Sequence, residues 1–290
     1  MCWFRAAAGR RLSVRSIRAW SPCSTDRARG PGGRHLSLRW QVTIRPGGTQ
    51  HSRARRIPSF SARLADARGR PSGESFMKLY AVTHSPFAAR VSLALRLKGV
   101  PYEQAPPPGG STRSPEYLAI NPIGKLPVLV LPDGTAIAES ETIIDYLEDS
   151  VPQPSLLPAG AQERVRVRNA VRTAESYVVP AALRLFRQMK PETRDAGVVA
   201  AELAQLRNGL TLVEHFIDDA AFAVGGKASK ADCILLPTVI LCTLVGRIFD
   251  LPELVAEFPR LSSYVAKART NPDMGSIWDE TEAALRAFLG

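Results

Sequence analysis

The chain has 290 residues, 45% of them apolar and 22% charged, and a formal net charge of +11. That is enough for one large or two ordinary domains with a substantial core. The four cysteines include no C-x-x-C pair, and the longest apolar run, 233–245, is too short for a bilayer and is interrupted by Pro237. These features argue against dithiol redox chemistry and against a membrane protein.

The positive charge sits at one end. Residues 1–76 hold sixteen Arg, no Lys and three acids, a net of +13, so the remaining 214 residues sum to −2. This Arg-, Gly-, Pro- and Ser-rich extension shows no period of 2 or 3.6 and is expected to be disordered, because it cannot bury enough apolar surface to fold alone. Three readings stand. It lies upstream of the natural start at Met77, or it is an organellar transit peptide, since its first twenty residues are Arg-rich and free of acids. Alternatively it is an arm for nucleic acid or an acidic surface. Its basic and aromatic residues are not spaced like those of a nucleic-acid module, so nucleic acid is not an expected partner. The expected location is cytoplasmic, or organellar if the extension is a transit peptide.

From Met77 the pattern is legible. "MKLYAV" reads as a strand, "AARVSLALRLKG" as a helix ending at Gly99, and "VPYEQA" as a second strand. A helical turn "SPEYLAI" precedes the strands "PVLVL" and "TAIA", joined by the turn "PDG". In "ESETIIDYLEDS", Ile143, Ile144 and Leu147 share one helical face. The Pro-rich stretch 151–160 reads as a linker, and everything after it as helix, including "QERVRVRNAVRTAESYVVPAALRLFRQM" and "TEAALRAFL". The expected organisation is an α/β domain at 77–150, a linker at 151–160 and an all-α domain at 161–290.

Two helix starts carry a serine. In "GGKASKADCILLP", Ser229 caps the helix while Asp232, three residues on, reaches back to its backbone, a capping box with a structural role. In "THSPFAAR", Pro86 suits the first helical position and leaves Ser85 as N-cap. Cys233 and Cys242 lie in an apolar helical stretch and read as buried small hydrophobes.

The order of elements, the "INPIGKLPVL" segment, the Glu-Ser after it, the Pro-rich linker and the "SKAD" cap together resemble the soluble glutathione transferase family over residues 77–290. The residues around Ser85 are similar to the serine and cysteine subclasses, including tau-like, omega-like and bacterial members. The resemblance implies a thioredoxin-like N-terminal domain with a mixed four-stranded sheet that binds glutathione. It also implies a helical domain that shapes a pocket for a small hydrophobic electrophile. Glutathione as co-substrate, no metal and a homodimer are implied with it.

Residue by residue, Pro127 resembles the family's cis-proline, which presents the Leu126 backbone to the cysteine part of glutathione. An edge-strand proline without a ligand is the plainer alternative. Glu139 and Ser140 match an acidic-hydroxyl pair at a helix start, where unpaired N–H groups hold the γ-glutamyl carboxylate; the same two residues also suit simple capping. Lys125 and Arg113 are implied partners of the glycine carboxylate, or else solvated charges. Ser85 is implied to be catalytic, with Arg90 five residues after it, although Thr83 and His84 also precede the helix. Phe87, Tyr177 and Phe186 are candidates for the co-substrate pocket, or else core aromatics.

The magnitudes suit that role. A thiol of pKa about 8.5 is only about 3% thiolate at pH 7. Lowering it by about 2 units needs roughly 2.7 kcal/mol, which a hydroxyl donating to the charged sulfur (about 1.5–3 kcal/mol) and a helix N-terminus (about 0.3–1 kcal/mol) can supply. Because serine forms no disulfide, conjugation is favoured over redox exchange. A glutathione-dependent isomerase, dehalogenase or lyase, and a non-catalytic binding module of the same fold, remain as alternatives.

Overall fold

The computed structural model describes residues 76–289, so the expectation for the basic extension, Phe76 apart, lies outside the described residues. Strand β1 (Met77–Tyr80) is interior to a sheet of order β2-β1-β3-β4. It pairs in parallel with β2 (Tyr102–Ala105) and antiparallel with β3 (Val128–Val130), which pairs antiparallel with β4 (Ala136–Ala138). A parallel step requires a crossover, here helix α1 (Pro86–Leu97). Ala88 to Leu95 are all buried, as expected of a helix covered on every side: it packs on α3 (Ser140–Ser150), α7 (Lys230–Ile248) and α9 (Pro272–Leu289). Between β2 and β3, the short helix α2 (Pro115–Ile120) is capped by Ser114, which accepts from the Tyr117 N–H at 3.1 Å. Ile143, Ile144 and Leu147 are buried on α3, the face that the sequence pattern marks.

Residues 151–160 hold no helix or strand, and every regular element after them is helical. The long helix read through 162–189 is broken. It consists of α4 (Ala161–Thr173), a π-helical segment Ala174–Val178, and α5 (Val179–Phe186) with Pro180 in its first turn. Helix α6 (Ala196–Phe216) crosses the π segment so closely that a Cβ at Gly209 would stand 2.5 Å from the Tyr177 carbonyl oxygen; only glycine permits that approach. After α8 (Pro259–Thr270), α9 begins at Pro272, well before the "TEAALRAFL" read from sequence.

One expectation is corrected here. The apolar run 233–245 belongs to the 19-residue α7, which is long and apolar enough to cross a membrane by length and composition. However, 83% of that window is buried inside the protein, which makes α7 its central core helix. It starts at the capping box as read: Asp232 accepts from the Ser229 N–H at 2.8 Å, and the Ser229 hydroxyl accepts from the Ala231 N–H at 3.2 Å. Helix α9 is tied to α1 by Arg96, which donates to both carboxylate oxygens of Glu280 at 3.0 and 2.6 Å. This bidentate pairing fixes orientation as well as distance between the last turn of α1 and the middle of α9.

Candidate active site at the end of the sheet

The strand register gathers the predicted residues. Tyr80 lies opposite Ala105 on one side and Val128 on the other, and Val128 lies opposite Ala138. The segments leaving β1 and β2, entering β3 and leaving β4 therefore meet at one end of the sheet. These segments carry Thr83, His84 and Ser85, then Arg113, then Lys125, Leu126 and Pro127, then Glu139 and Ser140.

Ser85 is the N-cap of α1, and its Oγ accepts from the Ala88 N–H at 3.4 Å, near the outer limit for such a bond. This contact uses a lone pair. Among the described residues nothing accepts the hydroxyl hydrogen, so Ser85 can cap the helix and donate outward at once. The first turn of α1 holds no acid, which leaves the positive end of the helix dipole uncompensated.

The Leu126–Pro127 peptide is cis. The loop before it is held by its backbone: the Lys125 carbonyl accepts from the Tyr117 hydroxyl at 2.6 Å and from Asn121 Nδ2 at 2.8 Å. Gly124 has φ +64°, and a Cβ there would lie 3.1 Å from Arg113 Nη1, so glycine suits both the turn and the close approach. The side chains of Lys125 and Arg113 are exposed, and among the described residues neither pairs with a carboxylate. Glu139 has φ 67°, a conformation that costs a non-glycine residue about 1–3 kcal/mol, and no side chain caps the α3 that follows. The first N–H groups of α3 are thus left for another acceptor.

Ser85, His84, Lys125 and Leu126 line one side of a pocket of ≈ 380 Å³. Leu183 and Phe186 of α5, Leu241 of α7 and Leu285 and Phe288 of α9 form an apolar wall on the other. A few polar groups facing an apolar wall is the usual form of a small-molecule site.

Residues 79–155 match the family model described as the glutathione S-transferase N-terminal domain. A maleylacetoacetate isomerase of Pseudomonas aeruginosa is 31% identical over 204 residues, which cover 68% of this chain and 92% of that protein. A glutathione S-transferase of Pseudomonas putida is 28% identical, over 73% of this chain and 96% of its own. Among solved structures, a glutathione S-transferase of Rhodospirillum rubrum superposes with a TM-score of 0.58 at 27% identity, covering 70% of this chain and 91% of that one. The chain belongs to the glutathione S-transferase family. The expected fold, a mixed four-stranded sheet with helices followed by a helical region, is that of the family.

Within this transferase, not every candidate reaches the pocket. Thr83 is exposed and its Oγ1 accepts from Gln104 Nε2 at 3.2 Å, on the far side of His84. His84 lines the pocket, stacked on Phe288 at 4.5 Å with 20° between the planes. Burial lowers its pKa from the ordinary 6.5, which favours the neutral imidazole. Phe87 and Tyr177 are not among the residues lining this pocket, and neither are Arg113, Pro127, Glu139 and Ser140. The Phe87 ring lies 4.6 Å under the Arg90 guanidinium, a cation–π contact that takes it elsewhere. Tyr177 is 54% exposed, and its carbonyl lies against Gly209.

Arg90 is buried rather than at the site. Its Nη1 pairs with Glu175 at 2.6 Å and its Nη2 donates to Thr238 Oγ1 at 3.3 Å. It therefore ties α1, which carries Ser85, to the π segment and to α7. Cys233 and Cys242 are fully buried, and burial pushes both thiols up, Cys242 to about 12; they are inert as nucleophiles. Among the described residues no group of His, Cys, Asp or Glu is placed to hold a metal ion. No local pattern marks Leu183, Leu241, Leu285 or Phe288 as wall residues. The Asn-Pro at 121–122 was the one local signal for the loop, since Asn121 Oδ1 accepts from the Ile123 N–H at 3.1 Å.

Proposed function

We propose that this family member conjugates glutathione to a small, apolar electrophile, with Ser85 donating its hydroxyl hydrogen to the glutathione thiolate. The observation that carries the reading is the juxtaposition in one pocket of an uncommitted serine hydroxyl, the Leu126 backbone and an apolar wall. The thiolate at the N-terminus of α1 gains from both the hydroxyl and the helix dipole. The Leu126 backbone pairs with the cysteine residue of glutathione as an added strand would. The free N–H groups at the start of α3, with Ser140, hold the γ-glutamyl carboxylate, and Glu139 accepts from the amino group. Lys125 and Arg113, both exposed and without a carboxylate partner among the described residues, meet the glycine carboxylate. The thiolate then attacks an electrophile held against Leu183, Phe186 and Leu241. A homodimer belongs to the same reading and is checked by sedimentation.

The test is conjugation of glutathione to an activated aryl halide, followed with the bound thiol's pKa in wild type and Ser85→Ala. Loss of at least about tenfold in rate with a rise in thiol pKa is expected; an unchanged rate and pKa would leave Ser85 a cap alone. The Pseudomonas aeruginosa relative, by its name, supports a second reading, a glutathione-dependent isomerase on the same residues. Turnover that leaves glutathione unconsumed distinguishes it.

A further inference from the structure

The pocket has a neighbour. A second feature, a shallow and largely solvent-open groove of ≈ 470 Å³, lies beyond His84 and Phe288, and the two share Val82, His84 and Phe288. The stacked His84–Phe288 pair, with Val82, is common to both linings. Phe288 is 51% exposed on the last turn of α9, and exposed side chains change rotamer in picoseconds to nanoseconds. Phe288 is therefore a half-exposed side chain held by one ring contact, not packed core.

The chemistry of the groove is one-sided. Ala81, Ala105, Pro106, Ala284 and Ala287 give it a shallow apolar floor, and among the described residues no Asp, Glu, Lys or Arg lines it. Its polar groups besides His84 are Thr83 and Gln104, joined by the single bond from Gln104 Nε2 to Thr83 Oγ1 at 3.2 Å. A glutamine amide has two donors and a carbonyl acceptor, so most of its capacity is left over. An uncharged apolar trough ending in an unsaturated amide suits an aliphatic chain that carries a neutral hydrogen-bonding group.

We propose that this groove is an annex to the electrophile pocket, taking the aliphatic tail of an elongated, uncharged co-substrate whose far end hydrogen-bonds Gln104, with Phe288 swinging aside to let the chain pass. The inference rests on the transferase reading. A compact electrophile fits the ≈ 380 Å³ pocket alone, whereas a long-chain one uses both pocket and groove. With a 2-alkenal, for example, the glutathione sulfur bonds to the β-carbon, the double-bond electrons move through the carbonyl, and a proton adds at the α-carbon. Nothing leaves and no further reactant is needed.

The test uses the full chain and two homologous series. In steady-state conjugation of 2-alkenals from butenal to dodecenal, KM is expected to fall at least about tenfold with chain length, as methylenes leave water. In Ala287→Trp, where an indole fills the exposed trough, the ratio of kcat/KM for the longest to the shortest alkenal is expected to drop about tenfold. Gln104→Leu is expected to lower the preference for an ω-hydroxylated alkenal over the plain one by a few-fold. A wild-type profile flat in chain length, or one unaltered by Ala287→Trp, overturns the annex. Calorimetric binding of S-methyl to S-decyl glutathione reads the same chain-length gain without turnover. Failure of every conjugation with a length-dependent, Trp-sensitive affinity therefore sinks the transferase reading and keeps the annex, while conjugation with a flat affinity does the reverse.

Discussion

Ser229 at the start of α7 and Ser85 at the start of α1 hold the same position on their helices, and their surroundings part them. Ser229 is buried, and its hydroxyl accepts from the Ala231 N–H at 3.2 Å and donates to Asp232 Oδ2 at 3.1 Å. Asp232 in turn accepts from the Ser229 and Ala223 N–H groups, both at 2.8 Å. Among the described residues, the Ser85 hydroxyl has only the long contact at 3.4 Å, there is no acid in the first turn of its helix, and the residue faces a pocket. A polar group whose bonds are all made holds structure together. One left with an unused proton beside a cavity is available for chemistry.

The strongest challenge to that contrast is Asp232→Ala. It leaves two buried N–H groups and a buried hydroxyl without an acceptor, each costing about 1–3 kcal/mol, so unfolding in urea is expected to show a loss of about 3 kcal/mol or more. Loss of under about 1 kcal/mol would mean the box is ornamental. The same carboxyl sets a pH dependence. Burial pushes it up to about 6 from 3.8, against the hydrogen bonds that favour its charged form. A folded pKa above the unfolded one gives stability that is full below the unfolded value and is lost as pH rises through about 6, roughly 3 kcal/mol in all. The difference in unfolding free energy between wild type and Asp232→Asn is therefore expected to shift against wild type from pH about 4 to about 7.5; a shift the other way contradicts it.

Ser85→Ala inverts the pattern. Its stability cost is expected to stay within about 1 kcal/mol, since the cap bond is long, while conjugation falls at least about tenfold, about 1.4 kcal/mol of barrier. Ser85→Cys keeps a hydrogen donor and adds a thiol able to exchange with disulfides, so mixed-disulfide formation with oxidised glutathione, seen by mass, is the expected gain. Ser229→Ala in parallel is expected to cost about 1 kcal/mol and leave KM and kcat alone.

How far these roles were legible in the sequence follows the same division. The capping box, the α3 face of Ile143, Ile144 and Leu147, and the Ser85-Pro86 start were readable because cap chemistry and helical period are local. The break at Ala174–Val178 was not, since a π segment leaves no spacing signal and is held by Gly209 from another helix. The contact of Phe87 was not readable because an aromatic at a helix start says nothing of its partner; Arg90, one turn on, lies over its ring. The wall of Leu183, Leu241, Leu285 and Phe288 is assembled by packing of α5, α7 and α9, which no local pattern encodes.

A lysine beside each serine extends the comparison to its smallest effect. Lys230, next to Ser229, is held by Glu141 at 3.0 Å and Asp145 at 2.6 Å. Lys125 shares the pocket with Ser85 and, among the described residues, has no carboxylate partner. An exposed ion pair is worth about 0.2–1 kcal/mol, so Lys125→Gln is expected to raise the KM for glutathione only about two- to fivefold, with kcat unchanged. Because exposed pairs are screened beyond about 10 Å at 0.1 M salt, the wild-type advantage is expected to shrink as salt is added, whereas in Lys125→Gln the KM becomes less sensitive to salt. A KM untouched by the substitution at low salt would return Lys125 to the class of solvated charges and leave Arg113 as the cation for the glycine carboxylate.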